Sequence, residues 1–145
     1  MTNRERFQAA LNGQKTDRLP IIEWAGWWDK TLEVWRGEDA GIPSQQQEIY
    51  RYLGMDIHHQ LWVPVSNGKL PAPAHHGAPV LSEPEQFSQL LPSLYPREGL
   101  EYCRRWFSDL KAVHDSGETV IWFTLEGFFW FPRTLFGIEN HLYAF

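Results

Sequence analysis

The sequence predicts an α/β fold built on a parallel sheet, and three observations lead there. Helix-like and strand-like periodicities alternate along the chain, in the order helix, strand, helices, strand, excursion, helix, strand, loop, helix. Strands separated by helices imply right-handed crossovers and parallel pairing. The run Thr119-Val120-Ile121-Trp122-Phe123-Thr124-Leu125 is almost unbroken β-prone apolar sequence directly after a long helix, the pattern of a strand covered on both faces.

Each element has its own signal. Thr2 and Glu5 stand at capping-box spacing, with Phe7, Ala10 and Leu11 on one helical face and Gly13 as the stop. Asp17-Arg18-Leu19-Pro20 leads into Ile21-Ile22-Glu23-Trp24, which reads as a short buried strand. Trp28, Leu32 and Trp35 recur at helical spacing up to Gly37. A second capping box at Ser44 and Gln47 opens a helix with Ile49, Tyr52 and Leu53 on its apolar face, ended by Gly54. Ile57 to Val63 is strand-like. Residues 64–82 hold Asn67-Gly68, a hairpin signal, among several prolines, and read as a hairpin or an excursion loop. Glu83-Pro84-Glu85 suits a helix first turn, with Leu90 and Leu91 as the buried end. The best-defined helix covers about 98–114, where Leu100, Cys103, Phe107, Leu110 and Val113 recur at three- and four-residue steps and Gly117 terminates. After the strand at 119–125, Gly127 to Pro132 reads as an aromatic loop. Ile138, Leu142 and Phe145 begin a last helix whose apolar face has no visible stop.

Composition narrows the function classes. With 145 residues, 43% apolar and 21% charged, the chain is sized for one ordinary globular domain, 1–145. A net charge of −5 argues against a general nucleic-acid binder. The single cysteine, Cys103, excludes an internal disulfide and fits a reducing compartment. There is no secretory leader pattern and no window near the ~20 apolar residues that cross a bilayer, so a cytoplasmic protein is expected. The eight tryptophans fill a core or an interface, or line a pocket for a flat or apolar ligand.

Two stretches carry a family resemblance. Met1-Thr2-Asn3-Arg4-Glu5-Arg6-Phe7-Gln8-Ala9-Ala10-Leu11-Asn12-Gly13, followed by Asp17-Arg18-Leu19-Pro20-Ile21, resembles the "RERxxxALxG…DRxP" opening of the uroporphyrinogen decarboxylase-like superfamily. Gly127 to Gly137 resembles that superfamily's "GPFTLAxxLxG" segment. The resemblance implies the N-terminal part of a (β/α)8 TIM barrel, incomplete here because about three strands are visible where a barrel needs eight. It also implies a small-molecule pocket at the C-terminal strand ends. Family activities are decarboxylation of uroporphyrinogen in porphyrin metabolism, without a cofactor, or corrinoid-related methyl transfer that uses zinc. Neither group is expected to be held within these residues, although zinc or a corrinoid is expected in a full-length methyltransferase-like protein. On this reading the isolated 145-residue chain is inactive, and its partner is a missing C-terminal half or a second copy.

The departures from the decarboxylase pattern are specific. The "RQAGRYLPEY" stretch, whose arginines hold substrate carboxylates, corresponds to Glu23-Trp24-Ala25-Gly26-Trp27-Trp28-Asp29-Lys30, where both arginine positions are Trp or Glu. The "FSD" aspartate falls near Leu61-Trp62-Val63, and the tyrosine after the loop glycine falls on Leu135. A polycarboxylate would lose its bidentate partners and meet an added carboxylate. Methyltransferase-like or unassigned chemistry is therefore favoured.

The candidate catalytic residues are Glu23, His58, His59 and Glu126. Glu23 and Glu126 close strands, where barrel pockets form, and an apolar setting would raise a carboxyl pKa to suit a general base; a salt-bridged carboxylate is the alternative. His58 and His59 are adjacent, so a strand sends them to opposite faces and they cannot share one metal. His75 and His76 lie in the Pro/Gly loop and read as solvated. Trp24, Trp27, Trp28 and Trp130 are candidate substrate-binding walls. Gly127 allows close backbone approach, and Arg133 would clamp an anion or pair with Glu139. No metal ligand set stands at metal-site spacing. The alternative is a non-catalytic binding or interaction domain that needs a partner chain.

Overall fold

A computed structural model describes residues 1–144. Its elements are α1 (Asn3–Leu11), α2 (Asp29–Glu38), α3 (Gln46–Tyr52), β1 (His58–Trp62), α4 (Gln86–Leu90), a 3-10 turn (Leu91–Ser93), α5 (Arg97–Asp115), β2 (Val120–Thr124), α6 (Gly127–Phe136) and α7 (Ile138–Tyr143). The chain divides into two compact units, Met1–Gln60 with Asp109–Trp122, and Leu61–Ser108 with Phe123–Phe145.

Among the described residues the sheet has two strands, β1 beside β2. The Val120 amide donates to the Ile57 carbonyl at 3.1 Å and the Val63 amide to the Thr124 carbonyl at 3.0 Å, so both strands advance together and are parallel. The expected incomplete (β/α)8 barrel is thus corrected: the chain forms a small, helix-rich mixed fold on two parallel strands. The cause lies at Ile21–Trp24, the expected first strand. Its backbone groups are taken by two side chains, Asp56 and Tyr50, and by one backbone bond, from the Asp56 amide. The Ile21 amide donates to the Asp56 carboxylate (2.8 Å), the Ile21 carbonyl accepts from the Asp56 amide (2.8 Å), and the Glu23 carbonyl accepts from the Tyr50 hydroxyl (2.8 Å). A segment so engaged runs alongside without adding a strand.

The first unit is held at its N-terminus. Thr2 caps α1 with the reciprocal Glu5 bond, as its spacing predicts. The Arg4 amide donates to the Gly117 carbonyl at 3.1 Å, which ties α1 to the turn after α5. Gly117 has φ +85°, and a Cβ there would lie 2.8 Å from the Thr2 side chain, so both backbone and space demand glycine. Phe7 meets Trp122 edge-on, with ring centroids 5.8 Å apart. Further along, α3 starts one residue late for a Ser44 cap: Gln45 is the capping residue and gives no side-chain bond, while Gln47 instead donates to the His58 carbonyl (2.9 Å).

The second unit is centred on Leu81, Leu90, Leu94 and Leu135, with Leu70, Val80 and Phe131 packed against them. The Val80 and Leu81 amides both donate to the Leu135 carbonyl. Asn67-Gly68 makes a tight turn in an excursion loop, where Ser66 forms an isolated antiparallel bridge with Leu94. The expected aromatic loop at Gly127–Pro132 is the first part of α6. Pro132 sits inside that helix and removes the donor that the Phe128 carbonyl would otherwise meet.

Candidate functional site

In the first unit, four aromatic rings form a continuous stack. Trp27 lies 5.4 Å from Tyr50, Tyr50 lies 4.9 Å from His58, and His58 lies 4.8 Å from Trp122. Trp35 adds to the Trp27 end at 5.7 Å. The elements explain the stack. Tyr50 is on the buried side of α3, His58 opens β1, and the parallel register puts His58 and Trp122 on one face of the sheet.

His58 is 3% exposed, and its Nδ1 meets no partner at hydrogen-bond geometry. Burial pushes its pKa down; the nearby Asp56 carbonyl and the Glu23 charge pull the other way. The ring is therefore neutral near physiological pH. Tyr50 is fixed by accepting from Gln46 (2.5 Å) and donating to the Glu23 carbonyl (2.8 Å). Burial raises its phenol pKa, so it too stays neutral.

Beside this stack, Glu23 turns back so that its Oε1 accepts from the Ala25 amide at 3.2 Å. Trp24 and Trp28 are largely exposed, Trp28 at 80%. The structure thus gathers Trp27 and His58 into one stack and sets Trp24 and Trp28 outside it. His59 points to the opposite face, where its Nδ1 lies 2.8 Å from the Thr119 hydroxyl. Burial first, then the charges of His58 and Arg51, lower its pKa.

In the second unit, Glu126 precedes α6 and Gly127 opens it with φ +60°. The Arg133 guanidinium lies 4.6 Å from the Trp130 ring centroid, so Trp130 and Arg133 are brought together as a cation–π pair. Among the described residues, no ion pair joins Arg133 to Glu139, and no group of three His, Cys, Asp or Glu side chains could hold a metal.

The charged residues of the opening motif converge on one buried carboxylate. Asp56 is fully buried and accepts from Arg6, from Arg18 (2.5 and 3.1 Å) and from the Ile21 amide (2.8 Å). Arg6 also grips Asp17 at 2.7 and 2.8 Å. In this chain, then, Arg6, Asp17 and Arg18 tie α1 and residues 17–21 to the start of β1.

Sequence reasoning missed Tyr50 and Trp122 as partners of His58. Residue alternation along β2 marks Trp122 as facing the same way as Val120, but only the strand register places it against His58. No protein-family model, no curated protein and no solved structure matches the chain.

Proposed function

We propose that the chain provides a substrate-binding surface to a cytoplasmic enzyme of the uroporphyrinogen decarboxylase-like kind, acting on a small polar or methylated substrate. The observation that carries this reading is the Glu23 corner: a carboxylate within five residues of three tryptophans, one of which, Trp27, opens the stack that runs through Tyr50 and the buried His58 to Trp122. A methylated cation is attracted by both the negative face of an indole and a carboxylate. A polycarboxylate finds no bidentate partner there, because the only cation of the 23–30 stretch is Lys30 and it contains no arginine. In this reading Glu23 and the Trp24, Trp27 and Trp28 rings bind, while the buried His58 backs the Trp27 end of the stack through Tyr50 as an uncharged ring. In the second unit, Glu126, Gly127, Trp130 and Arg133 form a candidate surface of their own, with Arg133 the group for an anion. Among the described residues no group of three His, Cys, Asp or Glu side chains could hold a metal, and no step is placed on one.

Tryptophan fluorescence, titrated with tetramethylammonium and separately with uroporphyrin, tests the reading. Saturable quenching by the cation is expected, weakened about tenfold or more by Glu23→Gln, with uroporphyrin the poorer ligand. Quenching indifferent to Glu23→Gln, or tighter uroporphyrin binding, overturns it. A second reading, a binding domain that docks on a partner chain, is favoured by exposed rings such as Trp28 and Phe128.

A further inference from the structure

The first unit holds a cavity of about 290 Å³ on the His59 face of β1, away from the Glu23 corner. It is an open cleft lined by the start of α1, Arg51 at the end of α3, Ile57, His59, Val113 and the Gly117–Glu118 turn. Three features give it a chemical character.

The first is a fixed imidazole. Thr119 is fully buried and its hydroxyl has backbone carbonyls as acceptors, Ile57 and Val120, each at 3.3 Å. The same hydroxyl lies 2.8 Å from His59 Nδ1, so the ring is held in place by a buried, backbone-anchored side chain. The second is charge. The Arg51 guanidinium and the Glu118 carboxylate both line the cavity, yet neither has an ion pair or a side-chain hydrogen bond among the described residues, not even with the other. The N-terminal ammonium, by contrast, is engaged by Asp17 at 3.2 Å. The third is size: the volume lies at the small end of ligand pockets, room for a molecule of a few heavy atoms beside the Ile57 and Val113 side chains.

We propose that this cavity binds a small zwitterion of the amino-acid class, its carboxylate on Arg51 and its ammonium on Glu118. Opposite charges that line one space without pairing are complementary to a ligand that carries both. A simple carboxylate or inorganic phosphate would satisfy Arg51 and be repelled by Glu118, whereas an amine alone would do the reverse. The neutral His59 ring adds no charge that would upset this balance.

The test is a titration of the full chain at pH 7.5 with glycine or alanine, acetate, methylamine and inorganic phosphate, followed through the His59 imidazole resonances. Glycine and alanine are expected to shift those resonances saturably. Arg51→Gln and Glu118→Gln, both at exposed positions, should each weaken binding about tenfold or more while the His58 resonances stay in place. No saturable shift overturns the site. Acetate or phosphate binding as well as glycine, or an effect indifferent to Glu118→Gln, overturns the zwitterion assignment.

Discussion

Asp56 shows what a buried charge requires. Its carboxylate is fully enclosed, and two guanidinium groups with one backbone amide satisfy its oxygens. Removing one partner of such a set exposes the others to an uncompensated charge, typically at a cost of about 3–5 kcal/mol. The outer member, Asp17, is where pH acts. Hydrogen bonds from the Arg6 guanidinium hold the Asp17 carboxyl well below the usual range. Its folded pKa is lower than its unfolded pKa of about 3.9, so acid favours the unfolded chain. That contribution is complete above about pH 5 and is lost as pH falls toward 3 and below. His58 and His59 add an earlier loss, because their pKa values are also lowered on folding; it begins as pH drops below about 6.5. Urea midpoints measured from pH 8 to 3 should therefore fall in two stages. Asp17→Asn should flatten the stage below pH 5 and leave the upper one. An unchanged lower slope would show that Asp17 does not drive it.

At the scale of elements, glycine geometry gives the sharpest expectation. Gly137 joins α6 to α7 at φ +79°, and a Cβ there would lie 2.8 Å from both the Gly77 carbonyl oxygen and the Pro79 nitrogen. Backbone cannot yield as a flexible side chain does, so Gly137→Ala adds a positive-φ penalty to a clash and should cost roughly 2 kcal/mol or more. Chemical denaturation followed by Trp130 fluorescence would read it, and a neutral effect would refute the packing at Gly77–Pro79. Gly137 was legible as the end of the aromatic segment, and so were the Thr2–Glu5 cap, α5 and β2, because each is written in local spacing. The elements that escaped depend on distant partners. Ile21–Trp24 has strand composition, but Asp56 and Tyr50 take up its backbone groups from 35 and 27 residues away. Helical spacing from Ile49 points to Tyr52 and Leu53 and not to Tyr50. The structure exposes those two and buries Tyr50, whose hydroxyl finds the Glu23 carbonyl. Likewise the opposite facing of His58 and His59 follows from strand alternation alone, whereas the ring stack on His58 needs the β1–β2 register.

The whole molecule carries much of its aromatic surface outside its cores. In the first unit Trp24 and Trp28 are exposed; in the second Phe128 is 94% exposed, accompanied by Phe129, Trp130 and Tyr143. Single exposed rings are ordinary, but three successive ones at the start of α6 concentrate exposed apolar area at that helix end, and such concentrations mark contact with another macromolecule or a ligand. Two short parallel strands supply little that could compensate, since a two-stranded sheet depends on packing for its stability. Sedimentation of the purified chain should accordingly show concentration-dependent association in the micromolar range, strengthened by sulfate, which promotes apolar burial. Phe128→Gln together with Trp130→Gln should shift the equilibrium toward monomer. Among the described residues Phe128 makes no ring contact, and it is nearly fully exposed, so its loss leaves the Leu81–Leu135 core untouched. A monomer at all concentrations, with well-dispersed proton signals and no binding of an apolar dye, would show that the two units bury what they need unaided. Association that survives the double substitution would instead place the contact on the Trp24–Trp28 corner. There it would compete with tetramethylammonium, and adding the cation would dissociate it.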